Sequence, residues 1–291
     1  MFLGKYKLIL GTDCKRIYKS KYYYWKRLKI LEKERYIKRV NRVYIKLDNR
    51  GTRLVKKFGY DYSFSCRSNE YMERVKQIAM VAGLTIDTNI DFIASWNMKD
   101  NMQLTQTSRK YLGKLIYQGK QSIAYYISKD KEISYRSQII NDIRKIIDCE
   151  NIIVFIENIG ILNDNQKFVF GKESTVIIKP TARNLLIMRK LEEIDFYQIT
   201  KQIYQNTEIL LSNWENAEYM TEDNEYIVLM PFIDTEKLYR LNIFNRDIKN
   251  VKREISILTL KGNKEKINEI LTIKANIIEI DDWLGGTDER E

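Results

Sequence analysis

Lys26, Lys29 and Lys33 recur at i, i+3 and i+7 within the stretch SKYYYWKRLKILEKERYIKRVNRVYIKLDNRGTRL, residues 20–54. At about 100° per residue they share one side of a helix with Tyr22, and Lys19 stands just ahead of them. Arg39 and Arg42 follow shortly after. Ammonium and guanidinium groups beside phenols are suited to neutralising phosphates and donating hydrogen bonds, and any bond-breaking chemistry in this chain would rest on carboxylates, lysine, tyrosine or cysteine. Tyr22 and Tyr23 lie near the helix start, where they can reach base edges or thymine methyls. Alternatively, one of them packs against the preceding helix. An ordinary solvated face would also account for the cations, but a helix face and a hairpin tip that are basic together favour a polyanion.

Other chemistry has little to work with. Histidine is absent, which excludes histidine triads, histidine-ligated metals and histidine general bases. Cys14, Cys66 and Cys149 are an odd, widely spaced set, so they form neither a disulfide framework nor a zinc site and read as buried thiols. Asp130 and Glu132 suggest either a metal site or a charged loop, the latter because Lys129 and Lys131 flank them. No cofactor is expected.

The elements that must position the basic row are legible nearby. Tyr24, Leu28 and Leu31 fall at i, i+4 and i+7 and form the opposite, apolar face of the same helix. Ser20 can cap it. Past Glu34, residues 36–40 and 42–47 alternate β-branched or aromatic residues with cations around a turn near Asn41, the pattern of a hairpin. Residues 47–54 then enter another helix, with Asp48 or Asn49 at its start. Upstream, Phe2, Leu3, Tyr6, Leu8, Ile9 and Leu10 predict a short opening helix. Thr12-Asp13 predicts a cap on a second helix over 14–19. Helix, helix, basic helix and basic hairpin make the outline of a winged helix-turn-helix. Its helix fits the major groove of DNA and its hairpin tip reaches flanking phosphates.

The charge distribution agrees. The 291 residues carry a net +11, but residues 1–60 hold 19 Lys+Arg against 4 Asp+Glu, a balance of +15. The other 231 hold 31 against 35, a balance of −4. All the positive surplus lies in the first fifth of the chain, which suggests a polyanion-binding module joined to a near-neutral body. A 44% apolar content supports a substantial core, whereas the longest apolar runs, such as 152–156, are too short to cross a bilayer. The opening residues lack an apolar core with a small-residue cleavage site, so a cytoplasmic protein with no membrane partner is expected.

The expected class is α+β, in three parts. Residues 1–60 form the winged-helix DNA-binding domain, 61–109 a linker helix and strand, and 110–291 a mixed α/β domain. Within the last, strands are predicted over 114–117, 122–127, 152–156, 169–170 and 175–179, with a helix over 134–147. Residues 195–213 read as helical, 225–232 as extended, 249–258 as ambiguous, 263–270 as helical and 272–280 as a final strand.

The first hundred residues resemble the winged-helix proteins of the plasmid and phage replication-relaxation family. The matching features are Tyr24 to Ile37, the hairpin, the Leu47-x-x-x-Gly51-x-x-Leu54 turn, and the helix over 69–84. In that family the wing is often followed by a domain similar to restriction endonucleases, and the order of elements from Lys114 to Ile156 resembles it. The resemblance implies an aspartate and a Glu-x-Lys at the active site. Gly113 and Tyr125-Tyr126-Ile127 stand there instead, so the endonuclease-like domain is expected to be degenerate and inactive.

The expected function is therefore that of a sequence-specific double-stranded DNA-binding protein of a plasmid or phage. It would act in replication, copy control, transfer or transcriptional regulation, as a homodimer with replication or transfer proteins as further partners. The expected DNA-binding residues are Lys19, Ser20, Tyr22, Tyr23, Lys26, Lys29, Lys33, Arg39 and Arg42. The alternatives are a metal-dependent nuclease using Asp130, Glu132 and a distant carboxylate, or a protein–protein module that has lost DNA.

Overall fold

A computed structural model describes residues 1–18, 22–64, 68–98, 110–117, 119–129, 133–146, 149–160, 168–247, 254–281 and 283. The protein is a mixed α+β chain with several sheets. It divides into two compact units, Met1–Gln103 with Leu112–Lys120, and Leu104–Tyr111 with Gln121–Glu291.

The first unit opens with α1 (Phe2–Tyr6), β1 (Leu8–Leu10) and α2 (Asp13–Ile17), followed by α3 (Tyr23–Lys33). A hairpin of β2 (Ile37–Val40) and β3 (Tyr44–Leu47) leads into α4 (Asn49–Lys57), then α5 (Asn69–Gly83) and β4 (Asp91–Ala94). The last strand of the unit is β5 (Gly113–Tyr117), antiparallel to β4.

The predicted opening helix is corrected. It stops at Tyr6, and Lys7 turns out of it at φ 68°. Leu8-Ile9-Leu10 then pairs antiparallel with β3, Leu8 opposite Lys46 and Leu10 opposite Tyr44. This gives a three-stranded sheet in the order β1-β3-β2. A strand exposes its two faces alternately, and here both are covered. Ile9, Ile37 and Ile45 join Cys14, Tyr24, Leu28 and Ile86 on one side. Leu8 joins Val75 and Ala79 of α5 on the other, where Val40, Tyr44, Phe64, Met72 and Trp96 complete the layer. The sheet is thus enclosed between α2 and α3 on one face and α5 on the other.

In the second unit, β6 (Lys120–Ile127), α6 (Ile133–Lys145), β7 (Asn151–Ile156) and β8 (Ser174–Ile178) come first. The three strands run parallel, and their near-continuous apolar runs suit strands covered on both faces. Next come α7 (Ala182–Arg189), α8 (Phe196–Ile203), β9 (Ile209–Leu211), β10 (Tyr219–Thr221) and β11 (Glu225–Met230). The short β12 (Ile233–Asp234) lies antiparallel to β8, and α9 (Thr235–Asp247), β13 (Glu254–Leu260), α10 (Lys264–Ile270) and β14 (Asn276–Ile280) close the chain. A five-stranded sheet runs β14-β13-β11-β10-β9, with β11, β13 and β14 parallel.

Two predicted elements differ here. The helix expected over 195–213 is split, because β9 pairs with β10 from Leu211 opposite Tyr219 to Ile209 opposite Thr221. The strand expected at Val169-Phe170 does not form; Phe170 instead donates its N–H to Glu236.

Candidate nucleic-acid interface

α3 carries the predicted row in the predicted orientation. Tyr24 and Leu28 are buried, while Lys26, Lys29 and Lys33 are exposed and Tyr22 is 77% exposed. Ile30 sits beside the row, 44% exposed. The expected Ser20 cap, like Lys19, lies outside the described residues. The helix starts later than predicted, at Tyr23, with Tyr22 at the N-cap and no side-chain cap bond there. Tyr22 and Tyr23 part company. Tyr23 meets Tyr18 at the end of α2 edge-on, ring centres 6.3 Å apart, whereas Tyr22 extends outward.

The far end of α3 is closed tightly. Arg35 adopts φ 63°, its N–H bonds the Glu32 carbonyl at 3.0 Å, and the Tyr36 N–H reaches the Leu31 carbonyl at 2.9 Å. That pair of bonds is the Schellman closure, made here without the usual glycine. The chain is thereby turned straight into β2.

At the hairpin tip Asn41 and Arg42 are both left-handed, at φ 49° and 61°, and Val43 is 53% exposed. The Gly11 N–H bonds the Val43 carbonyl at 2.8 Å and anchors the tip to the end of β1. Arg42 projects there, exposed. Arg39 does not. Its Nε lies 3.2 Å from Glu32 Oε2, and its guanidinium sits 5.1 Å above the Trp25 ring. The expectation of a phosphate-seeking Arg39 is thus revised: on β2 the side chain alternates toward α3, where a carboxylate and an aromatic face already engage it.

Other cations of the first unit also have internal partners. Lys7 donates to the Tyr71 hydroxyl at 2.9 Å and lies 4.5 Å over Trp96. Lys46 lies 4.9 Å over Phe64. Arg16 donates to the Gly83 carbonyl at 3.0 Å and to that of Ile86, meeting α5 at its negative end. Among the described residues, Lys26, Lys29, Lys33 and Arg42 form no ion pair.

The helix predicted to start at Asp48 or Asn49 forms as α4, but its cations were not among the expected DNA contacts. Asp48 caps it by accepting from the Asn49 N–H at 2.8 Å. Gly51 is buried against the Tyr36 carbonyl, where a Cβ would overlap the oxygen. Outward stand Arg50, Arg53, Lys56 and Lys57, all exposed. The signal was present as cations at i, i+3, i+6 and i+7.

In the second unit the stretch expected to be degenerate is built for packing. Gly113 itself belongs to the first unit, where a Cβ would run into the Ile93 carbonyl and the Phe92 ring, leaving no room for a carboxylate. Tyr125 and Ile127 are fully buried. Burial, then the nearby Asp142 charge, pushes the Tyr125 phenol well above its ordinary range. Tyr126 donates to Glu157 Oε1 at 2.7 Å, and the Lys129 N–H occupies Oε2 at 2.8 Å. Two acids, the half-buried Asp234 and the buried Glu236, are fasteners too. Asp234 accepts from Ser174 Oγ at 2.6 Å and caps α9, and Glu236 accepts from the Phe170 N–H at 2.6 Å. Asp130 and Glu132 lie outside the described residues. Among the described residues no group of three His, Cys, Asp or Glu side chains could hold a metal ion, and no helix is long and apolar enough to cross a membrane.

Comparison with known protein families, with curated proteins and with solved structures finds no match.

Proposed function

We propose that the first unit is a winged helix that binds double-stranded DNA, with α3 as the helix in the major groove and the β2–β3 hairpin as the wing. The observation that carries this reading is the sorting of cations. Lys7, Arg16, Arg39 and Lys46 are half-buried against a ring, a carboxylate or a helix end, while Lys26, Lys29 and Lys33 line the solvent face of α3 opposite Tyr24 and Leu28. The element order α1-β1-α2-α3-β2-β3 and the sheet order β1-β3-β2 support it. An α-helix about 10–12 Å across matches a major groove about 12 Å wide. Tyr22 and Lys26, on the first turn, meet base edges; Arg42 meets a phosphate.

On this reading the protein recognises a specific duplex site, as a winged-helix protein of the replication-relaxation type would. The process served is replication, copy control, transfer or transcription. The second unit is a non-catalytic body that mediates dimerisation or partner binding.

The test is the salt dependence of duplex binding by the full chain. Each neutralised phosphate contributes about −0.9 to the slope of log K against log salt. Replacing Lys26, Lys29 and Lys33 together by alanine is expected to weaken binding and flatten the slope by about 2–3. A triple variant that binds like the wild type overturns the proposal.

A further inference from the structure

We propose that α4 is a second cationic strip, which grips the phosphate backbone of the same duplex beside the segment met by α3. This rests on the duplex-binding reading and extends its footprint to one side.

α4 contains nine residues and no acid. At about 100° per residue, Arg50, Arg53 and Lys57 fall within about 60° of one another, and Lys56 flanks them. All four are exposed, and only Gly51 and Val55 are buried. A merely solvated helix face usually intersperses acids that pair with its cations at i+3 or i+4; four like charges with none repel one another. The helix dipole accounts for Lys56 and Lys57, which lie in the last turn. It disfavours Arg50 in the first turn. Arg50 and Arg53 therefore call for an anion from outside.

The placement of α4 is fixed by α3. The Arg50 N–H bonds the Arg35 carbonyl at 3.1 Å, and the Asp48 N–H bonds the Tyr36 carbonyl at 2.9 Å. Gly51 permits that close approach because it has no Cβ. The first turn of α4 thus sits directly on the residues that close α3. Lys33 leads into Arg50, Arg53 and Lys57 past Arg35, which is exposed and lies 3.8 Å from the Asp48 carboxylate at the α4 cap. At about 1.5 Å per residue, α3 is about 16 Å long and α4 about 13 Å. A major groove about 12 Å wide is bounded by phosphate strands, so cations standing beyond the end of a helix seated in it have such a strand within reach. Charge complementarity selects the occupant: a regularly spaced row of phosphodiesters.

The experiment compares the wild-type chain with Arg53→Gln/Lys57→Gln on a labelled random-sequence duplex of about 30 base pairs across a salt series. The double variant is expected to flatten the slope by about 1.8 and to weaken binding equally on random and target duplex. Arg53→Lys/Lys57→Arg is expected to keep the wild-type slope, which separates charge from any effect on folding. An unchanged slope in the Gln variant, with wild-type binding intact, overturns the α4 assignment while leaving α3 in place. A wild-type chain that binds no duplex overturns the underlying reading instead. Phosphatidylserine vesicles are the control for the exposed Leu54 and Phe58 that flank the strip. Vesicle binding lost in the Gln variant, with the DNA slope unchanged, assigns α4 to a membrane surface and also overturns the proposal.

Discussion

Arg39 of β2 and Glu32 of α3 are joined, Nε to Oε2, at 3.2 Å, with Trp25 forming the floor beneath the guanidinium. The pair ties the hairpin to the helix along one line of α3, since Trp25 and Glu32 are seven residues apart. It also removes one positive charge from the outward surface. Arg39→Gln is therefore expected to cost about 0.5–1 kcal/mol in denaturant unfolding, the pair being partly exposed. The salt slope of duplex binding should stay as in the wild type. A slope flattened by about 0.9 would mean that Arg39 leaves Glu32 for a phosphate.

Base contact and phosphate contact should separate between helix and hairpin. Tyr22→Ala and Lys26→Ala are expected to reduce the preference for a target over random duplex, because both side chains leave the first turn of α3 outward. Arg42→Ala, at the left-handed tip, is expected to weaken both duplexes about equally. A competition shift assay giving the opposite pattern would show that α3 lies in the groove the other way round.

Gly51 is the residue on which the α3–α4 junction depends. A methyl group there meets the Tyr36 carbonyl, whose position is held by the Asp48 N–H. Gly51→Ala is expected to destabilise the first unit by about 1–3 kcal/mol, as overpacking does, measured as a lower denaturant midpoint. A variant as stable as the wild type would show that α4 can shift away without loss.

Cys14 links stability to alkaline pH. Burial, then the neighbouring Asp13, raises the thiol from its ordinary 9.0 to about 12. A group whose folded value is raised supports the fold below its unfolded value and withdraws that support as pH climbs toward the folded one. The wild type should thus lose stability relative to Cys14→Ala between about pH 9 and 12, with a constant offset at lower pH. Parallel curves across that window would show that the thiol is not desolvated.

Purified protein with Mg²⁺ or Mn²⁺ is expected to leave supercoiled, linear and single-stranded DNA intact. Gly113 has no room for a carboxylate, and Tyr125 is fully buried, with burial holding its phenol protonated. Neither offers a hard oxygen ligand to a divalent ion. Cleavage abolished by Asp130→Ala or Glu132→Ala would establish the nuclease alternative.

The face of α3 and the limits of the hairpin were legible because both depend on residues a few positions apart. Tyr24, Leu28 and Leu31 repeat with the helical period, and Ile37 to Leu47 alternates around Asn41. Burial and exposure follow those periods directly. The split of charge between residues 1–60 and the rest was equally open to inspection.

What the cations do was not legible. Lys7, Arg16, Arg39 and Lys46 look like the lysines of α3 on paper. Yet their partners Tyr71, Gly83, Glu32 and Phe64 are 64, 67, 7 and 18 residues away, and only folding brings them within reach. The same reason governs the misread elements. Leu8-Ile9-Leu10 has no period of its own to distinguish strand from helix, and its pairing with Tyr44 to Lys46 decides the matter. Residues 209–211 become a strand through Tyr219 to Thr221. The sequence by itself determined where the charge lies and which face of the basic helix is wet. Tertiary structure decided which charges remain outward, because an ion pair or a ring contact depends on distance in space rather than along the chain.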